Sequence, residues 1–243
     1  MSNPILNDRF TEQTRVLEGH TMTVNGTLQA TAILGLLVMA AASFVWSRFG
    51  LGYTDLASML TYGGAIAGFI TALIVCFTRN KYLTPVYAVC EGLFLGGISF
   101  MFEKTFPGIV SQAVAGTFAA LFSMLILYRA GVIKCTDKFR SVIFIATLSI
   151  AAVYLINFIG SFFHYSVPLI STADNSTAGI IVTAVIVVIA ALNLIVDFDF
   201  IERGSQMMLP KDMEWYGAFG LMVTIIWLYL EILRLLAKLN SRR

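Results

Sequence analysis

Charge is what this sequence has least of. Only 12% of its 243 residues are Asp, Glu, Lys or Arg, where soluble domains run near a quarter. Such a chain cannot cover a water-facing surface. Cysteine is almost as scarce: Cys76, Cys90 and Cys135 are an odd number without metal-ligand spacing, which excludes a disulfide framework. Two histidines, His20 and His164, flank apolar runs and look like loop residues. No His-rich metal set, Gly-x-Ser-x-Gly turn or Gly-x-Gly-Asp motif occurs. The expectation is therefore a protein that is not an enzyme and carries no cofactor or resident metal. With a net charge of +2 and no basic stripe, no nucleic-acid partner is expected either. The first twenty residues are polar and mixed in charge, so no cleaved signal is expected.

What the chain does have is apolar residues, 58% of the total, gathered into long runs. Val24–Trp46, Ala57–Thr78, Pro107–Tyr128, Ser141–Phe163 and Ser176–Val196 contain no Asp, Glu, Lys or Arg. Each has about the 20 residues that cross a hydrocarbon core of about 30 Å. Tyr82–Phe102 and Trp215–Ala237 are as long but hold Glu91, and Glu231 with Arg234. The sequence predicts an all-α membrane protein, a bundle of seven transmembrane helices, with the lipid bilayer as its surroundings. Three parts follow: a polar segment over residues 1–23, the helical domain over 24–238 and a basic tail over 239–243.

The basic residues give an orientation. With the N-terminus cytoplasmic, the inner segments carry Arg9, Arg15, Arg79, Lys81, Arg129, Lys134, Lys138, Arg140, Arg203 and Lys211, against Arg48 and Lys104 outside. That is the positive-inside bias. Lys238, Arg242 and Arg243 oppose it, because seven crossings place them outside.

Loops are expected at 79–81, 103–106, 129–140, 164–175 and 201–214. Small residues one turn apart, Gly64 with Gly68, Gly92 with Gly96 and Ala115 with Ala119, suit close helix contacts where lipid supplies no hydrophobic drive. Trp46, Tyr53, Tyr128, Trp215 and Tyr216 lie where an interfacial belt belongs.

Charged groups within the runs are the anomaly, since each is costly in hydrocarbon. Glu91 lies nine residues past Tyr82, roughly 13 Å deep. It reads equally as a hydrogen-bonded structural acid and as a functional carboxyl. Asp197 and Asp199 end the most apolar run and are about 200° apart around a helix. Asp199 shares a face with Arg203 and Asp197 with Asn193, so an Asp199–Arg203 pair explains one aspartate and leaves the other. Glu231 and Arg234, three apart, read as an ion pair on one helix face.

"ALNLIVDFDFIERG" (191–204) followed by "MEWYGAFGLMVTIIWLYLEILRLLAKL" (213–239) resembles the last two helices of the bacterial branch of the Bax inhibitor-1, or transmembrane Bax-inhibitor-motif, family. "VYAVCEGLFLGGIS" (86–99) is similar to its third helix. The resemblance implies seven helices with the last one central. It also implies a pH-sensitive calcium leak, in which two aspartates on the last two helices share a proton and control closure. Asp199 matches the first aspartate and Thr224 stands at the second position. Glu231, about 10 Å further along, and Glu91 are the candidate substitutes, with Arg79 a loose match for a basic residue of the closed state. On this reading Asp197 and Asp199 supply oxygen ligands suited to calcium, and the protein lies in a bacterial inner membrane. The alternative is a non-conducting regulator of membrane protein quality control, proteolysis or cell stress, partnered with a membrane protease or another membrane protein.

Topology is directly testable. A reporter fused within 129–140 is expected to be cytoplasmic and one within 164–175 exported; finding both on one side would mean that the fifth helix does not span.

Overall fold

The computed structural model describes residues 21–161, 163 and 176–242. Arg9, Arg15, His20, His164, Arg243 and the 164–175 loop lie outside them. Among the described residues there are seven helices and no strand: α1 Val24–Gly50, α2 Thr54–Thr78, α3 Leu83–Thr105, α4 Ile109–Arg129, α5 Asp137–Ser161, α6 Thr177–Gln206 and α7 Met213–Asn240. All seven are long and apolar enough to cross a membrane. This is the expected all-α transmembrane bundle.

Local chemistry explains the ends. Thr23 and Ser176 cap α1 and α6, accepting from Gly26 N at 2.9 Å and Gly179 N at 3.0 Å. Arg79 closes α2 in the left-handed region, at φ 52°. Two loops are shorter than the apolar runs imply: 130–136 replaces 129–140, and 207–212 replaces 201–214. Hydropathy marks the hydrocarbon crossing, whereas the helix continues as long as its polar residues pair on one face, as Asp199 and Arg203 do at i,i+4. Asp197 to Arg203 are consequently helical. At the other end α7 takes in Leu239 and Asn240, which the sequence places in the tail. Nor is the N-terminal segment wholly solvated: Met22, 1% exposed, packs on Gly204 and Gly217 and donates from its backbone N–H to Leu209 O at 2.7 Å.

Glycines set the packing of the first three helices. A Cβ at Gly92 would sit 2.5 Å from Val38 O and 2.7 Å from the Ala41 Cβ, and one at Gly64 would sit 2.7 Å from Cys90 O. α3 is thus pressed between α1 and α2 at backbone distance. The expected pair Ala115 and Ala119 is not a contact, because both are exposed; the buried face of α4 carries Ala113 and Thr117, two positions round the helix. Trp46 packs edge-on against Phe100, ring centres 5.5 Å apart.

The last helix is central, as expected. One side of α7 (Ala218, Met222, Ile226, Leu233) packs with Leu34 and Val38 of α1 and Ala88 and Leu95 of α3. Another side (Leu221, Leu228) packs with Ala190, Leu194 and Phe198 of α6. The fifth helix is the opposite case, with Ile143 its only buried residue.

Gly92→Val is expected to destabilise the detergent-extracted protein by about 1–3 kcal/mol through overpacking, whereas Gly63→Ala, with nothing within 4 Å of its Cβ position, leaves the thermal midpoint unchanged. Equal midpoints would show that α3 is not packed at backbone distance.

Candidate functional site

The two aspartates of α6 meet different fates. Asp199 is 6% exposed. Arg203 Nε lies 2.8 Å from its Oδ2, and Arg140 of α5 donates to the same oxygen. Arg203 also donates to Cys135 O at 3.1 Å, and Tyr128 to Glu202 Oε2 at 2.6 Å. One carboxylate thereby ties α6 to the start of α5, with the 130–136 loop drawn in. Burial pushes the Cys135 thiol pKa up, with the nearby Asp199 charge adding to it and Arg140 opposing it.

Asp197 faces the other way, towards the middle of α7. Its carboxyl lies beside the Thr224 hydroxyl and over Gly220. Its Oδ2 is sealed from solvent and makes no hydrogen bond among the described residues. Thr224 in turn donates to Gly220 O, at 3.3 Å. The helical stagger that separates the aspartates thus brings Asp197, and not Asp199, to Thr224.

Deeper in the bundle Asn193 donates to Thr147 Oγ1 of α5 at 2.8 Å. Beyond it lies a buried network. Glu231, 1% exposed, accepts from Tyr154 Oη at 2.7 Å, Trp227 Nε1 at 3.2 Å and Arg234 at 3.1 Å. The ion pair read from the spacing is present, and Tyr154 of α5 completes it. Lys238, fully buried, donates to Gly179 O at 3.2 Å.

The remaining candidates stand apart. Glu91 packs its carboxyl onto Gly68, so it faces α2 and not the α6–α7 contact. The Arg79 guanidinium lies 5.8 Å from the centre of the Tyr216 ring at the start of α7. Sequence reasoning missed Arg140, Thr147 and Tyr154, although three polar residues seven apart on one apolar span were the signal. It also missed Glu214, 7% exposed, which accepts from Thr23 N at 3.0 Å and Thr23 Oγ1 at 2.9 Å and joins α7 to α1. Lys81 and Asp212 pair at 2.8 Å, which raises the lysine pKa. Both are exposed enough that the pair contributes little stability.

Among the described residues no group of three or more His, Cys, Asp or Glu is gathered as for a metal ion. Among the described residues Asp199 and Glu231 are paired and tied to α5, whereas Asp197 and Glu91 lie inside the bundle with no ion pair.

A family model described as "Bax inhibitor 1 like" matches residues 3–241. The chain belongs to the Bax inhibitor 1 like family. No curated protein matches it significantly. In this Bax inhibitor 1 like protein the match spans all seven helices.

The buried pair sets a stability test. Glu231→Ala, which strands Arg234 beside Tyr154, is expected to cost about 3–5 kcal/mol, and Glu231→Ala with Arg234→Leu to recover most of it. If the double variant is as unstable as the single one, the pair is not the relevant link.

Proposed function

We propose that this protein is a pH-sensitive cation leak, with calcium as the ion, gated by protonation of intramembrane carboxylates. Membership of the family supports the reading, and Asp197 carries it: a carboxyl inside the bundle, aimed at α7, with an oxygen that makes no hydrogen bond among the described residues. A proton arriving there breaks no ion pair, whereas one arriving at Asp199 must displace two guanidiniums. We therefore assign the proton to Asp197 and a closing latch to Asp199. The family resemblance gives Asp199 the titrating role, and the pairing with Arg140 and Arg203 is the reason to depart from it.

The sign follows from the surroundings. Neutral Asp197 packs dry against Thr224 and Gly220. Ionised, it places a charge there without a counter-charge on its free oxygen, which draws in water and loosens the α6–α7 contact. Opening then exposes hard oxygen ligands of the kind calcium prefers. The protein acts on this reading without enzyme chemistry or a cofactor. The distribution of basic residues supports a cytoplasmic N-terminus, and the bacterial inner membrane is the location we propose.

Calcium entry into proteoliposomes is the test. Flux is expected to rise with pH. Asp197→Asn should hold it low and flatten the pH response, and Asp199→Asn should raise it at every pH by releasing Arg140. Thr224→Asp, which sets a second acid beside Asp197, should steepen the response. An unchanged pH profile in Asp197→Asn would sink the assignment. Wild-type liposomes no leakier than empty ones would favour the non-conducting regulator of proteolysis or cell stress.

A further inference from the structure

The polar links between α5 and the rest of the bundle follow a rule. Arg140, Thr147 and Tyr154 are seven residues apart and line one face of α5, and each reaches a polar group on α6 or α7: Asp199, Asn193 and Glu231. On α7, Thr224, Glu231 and Lys238 repeat the same spacing, and they are 8%, 1% and 0% exposed. Seven residues rise about 10 Å, so the steps form a file of polar groups that crosses most of the span. Ile143 of α5 is buried, while Phe144, Leu148 and Leu155 are 65%, 59% and 58% exposed. In a membrane those side chains face lipid, which solvates them as well as a neighbouring helix would.

The two sides of the file differ in charge. α5 contributes the Arg140 guanidinium and two hydroxyls, of Thr147 and Tyr154. α6 and α7 contribute Asp199, Asn193 and Glu231 where they meet α5, with the Lys238 ammonium at the end of the α7 file and Asp197 and Thr224 at the adjoining α6–α7 contact. Arg203 and Arg234 stay on their own helices, paired with Asp199 and Glu231. If α5 moves outward it carries the Arg140 cation away and uncovers the oxygens of Asp199, Asn193 and Glu231, with Arg203 and Arg234 still beside two of them. Asp197, whose Oδ2 makes no hydrogen bond among the described residues, adjoins these oxygens at the α6–α7 contact.

We propose that the seam between α5 and the α6–α7 pair is the route of the permeating cation, and that α5 is the wall that moves. This rests on the leak function proposed above and adds to it the path and the gate. Arg140 closes the seam as a tethered cation, occupying on Asp199 the place a free cation takes when α5 withdraws. Thr147 and Asn193 form the middle link.

Bridging that link decides the question. In a background with Cys76, Cys90 and Cys135 replaced by Ser, Thr147→Cys with Asn193→Cys is expected to lose its calcium flux when the two thiols are joined by oxidation or by mercuric ion. Reduction should restore it. A bridged protein that leaks as fast as the reduced one overturns the route while leaving the leak itself standing. Wild-type protein that carries no calcium overturns the leak and the cation route with it. A second measurement covers a double variant that does not insert. Single Thr147→Cys in vesicles should react with a charged, membrane-impermeant thiol reagent, whereas Leu148→Cys, facing lipid, should not. An unreactive Thr147→Cys overturns the seam as a water-filled path.

Discussion

Hydrocarbon solvates a leucine about as well as another helix does, so burial of apolar surface cannot hold transmembrane helices together as it does in water. Every contact in this bundle answers to that constraint, and two different solutions are visible. α1, α2 and α3 remove side chains: Gly64, Gly92 and Gly96 let backbones approach until dispersion between close-packed atoms suffices. α5 uses polar links to Asp199, Asn193 and Glu231. α7 stands between the two systems, one face in each core, which is why it is the central helix.

Asp197 and Asp199 show how a helix sorts neighbouring groups of the same kind. Two residues of separation turn them about 200° apart. One meets the guanidiniums of Arg140 and Arg203, the other the hydroxyl of Thr224. In low-dielectric surroundings these are very different fates. A carboxylate hydrogen-bonded to two cations is anchored by them, while one with a bare oxygen lacks compensation for the water it has lost. Glu231 sits with the first kind, since it is surrounded by Arg234, Tyr154 and Trp227.

Much of the fold was legible in the sequence because a hydrocarbon slab imposes a length on each helix and tolerates few charges. The seven runs and the Glu231–Arg234 pair follow from local pattern, whereas the central last helix came only from the family resemblance. The helix ends did not, because an apolar run stops at the headgroups while α6 continues through the paired Asp199 and Arg203. The face of α4 was misjudged because Ala115 and Ala119 have the right spacing but the wrong phase, and spacing alone carries no phase. The site was legible by halves. Its acids stood out against the apolar background, but their partners Arg140 and Tyr154 are 59 and 77 residues away in sequence and were indistinguishable from a loop cation and a lipid-facing aromatic. Glu214 escaped for the same reason, since its partner Thr23 lies 191 residues upstream.

The polar attachment of α5 has an energetic consequence that glycine packing would not have. Close backbone packing is lost all at once when helices part, because each atom's attraction falls steeply with distance. Interhelical hydrogen bonds in membranes average about 0.6 kcal/mol and seldom exceed about 2 kcal/mol. At that scale the links of Arg140 to Asp199, Thr147 to Asn193 and Tyr154 to Glu231 and Arg234 hold α5 by a few kcal/mol. A change of one pKa unit at a single carboxyl is already worth about 1.4 kcal/mol. Attachment and switching energies are therefore of the same order, so protonation at the α6–α7 contact can shift the population of an α5-open state by a useful amount. The α1–α3 layer is locked at Gly64, Gly92 and Gly96, with the Glu91 carboxyl packed onto Gly68 inside it. A gate in this bundle belongs on the side where the links are few, polar and weak.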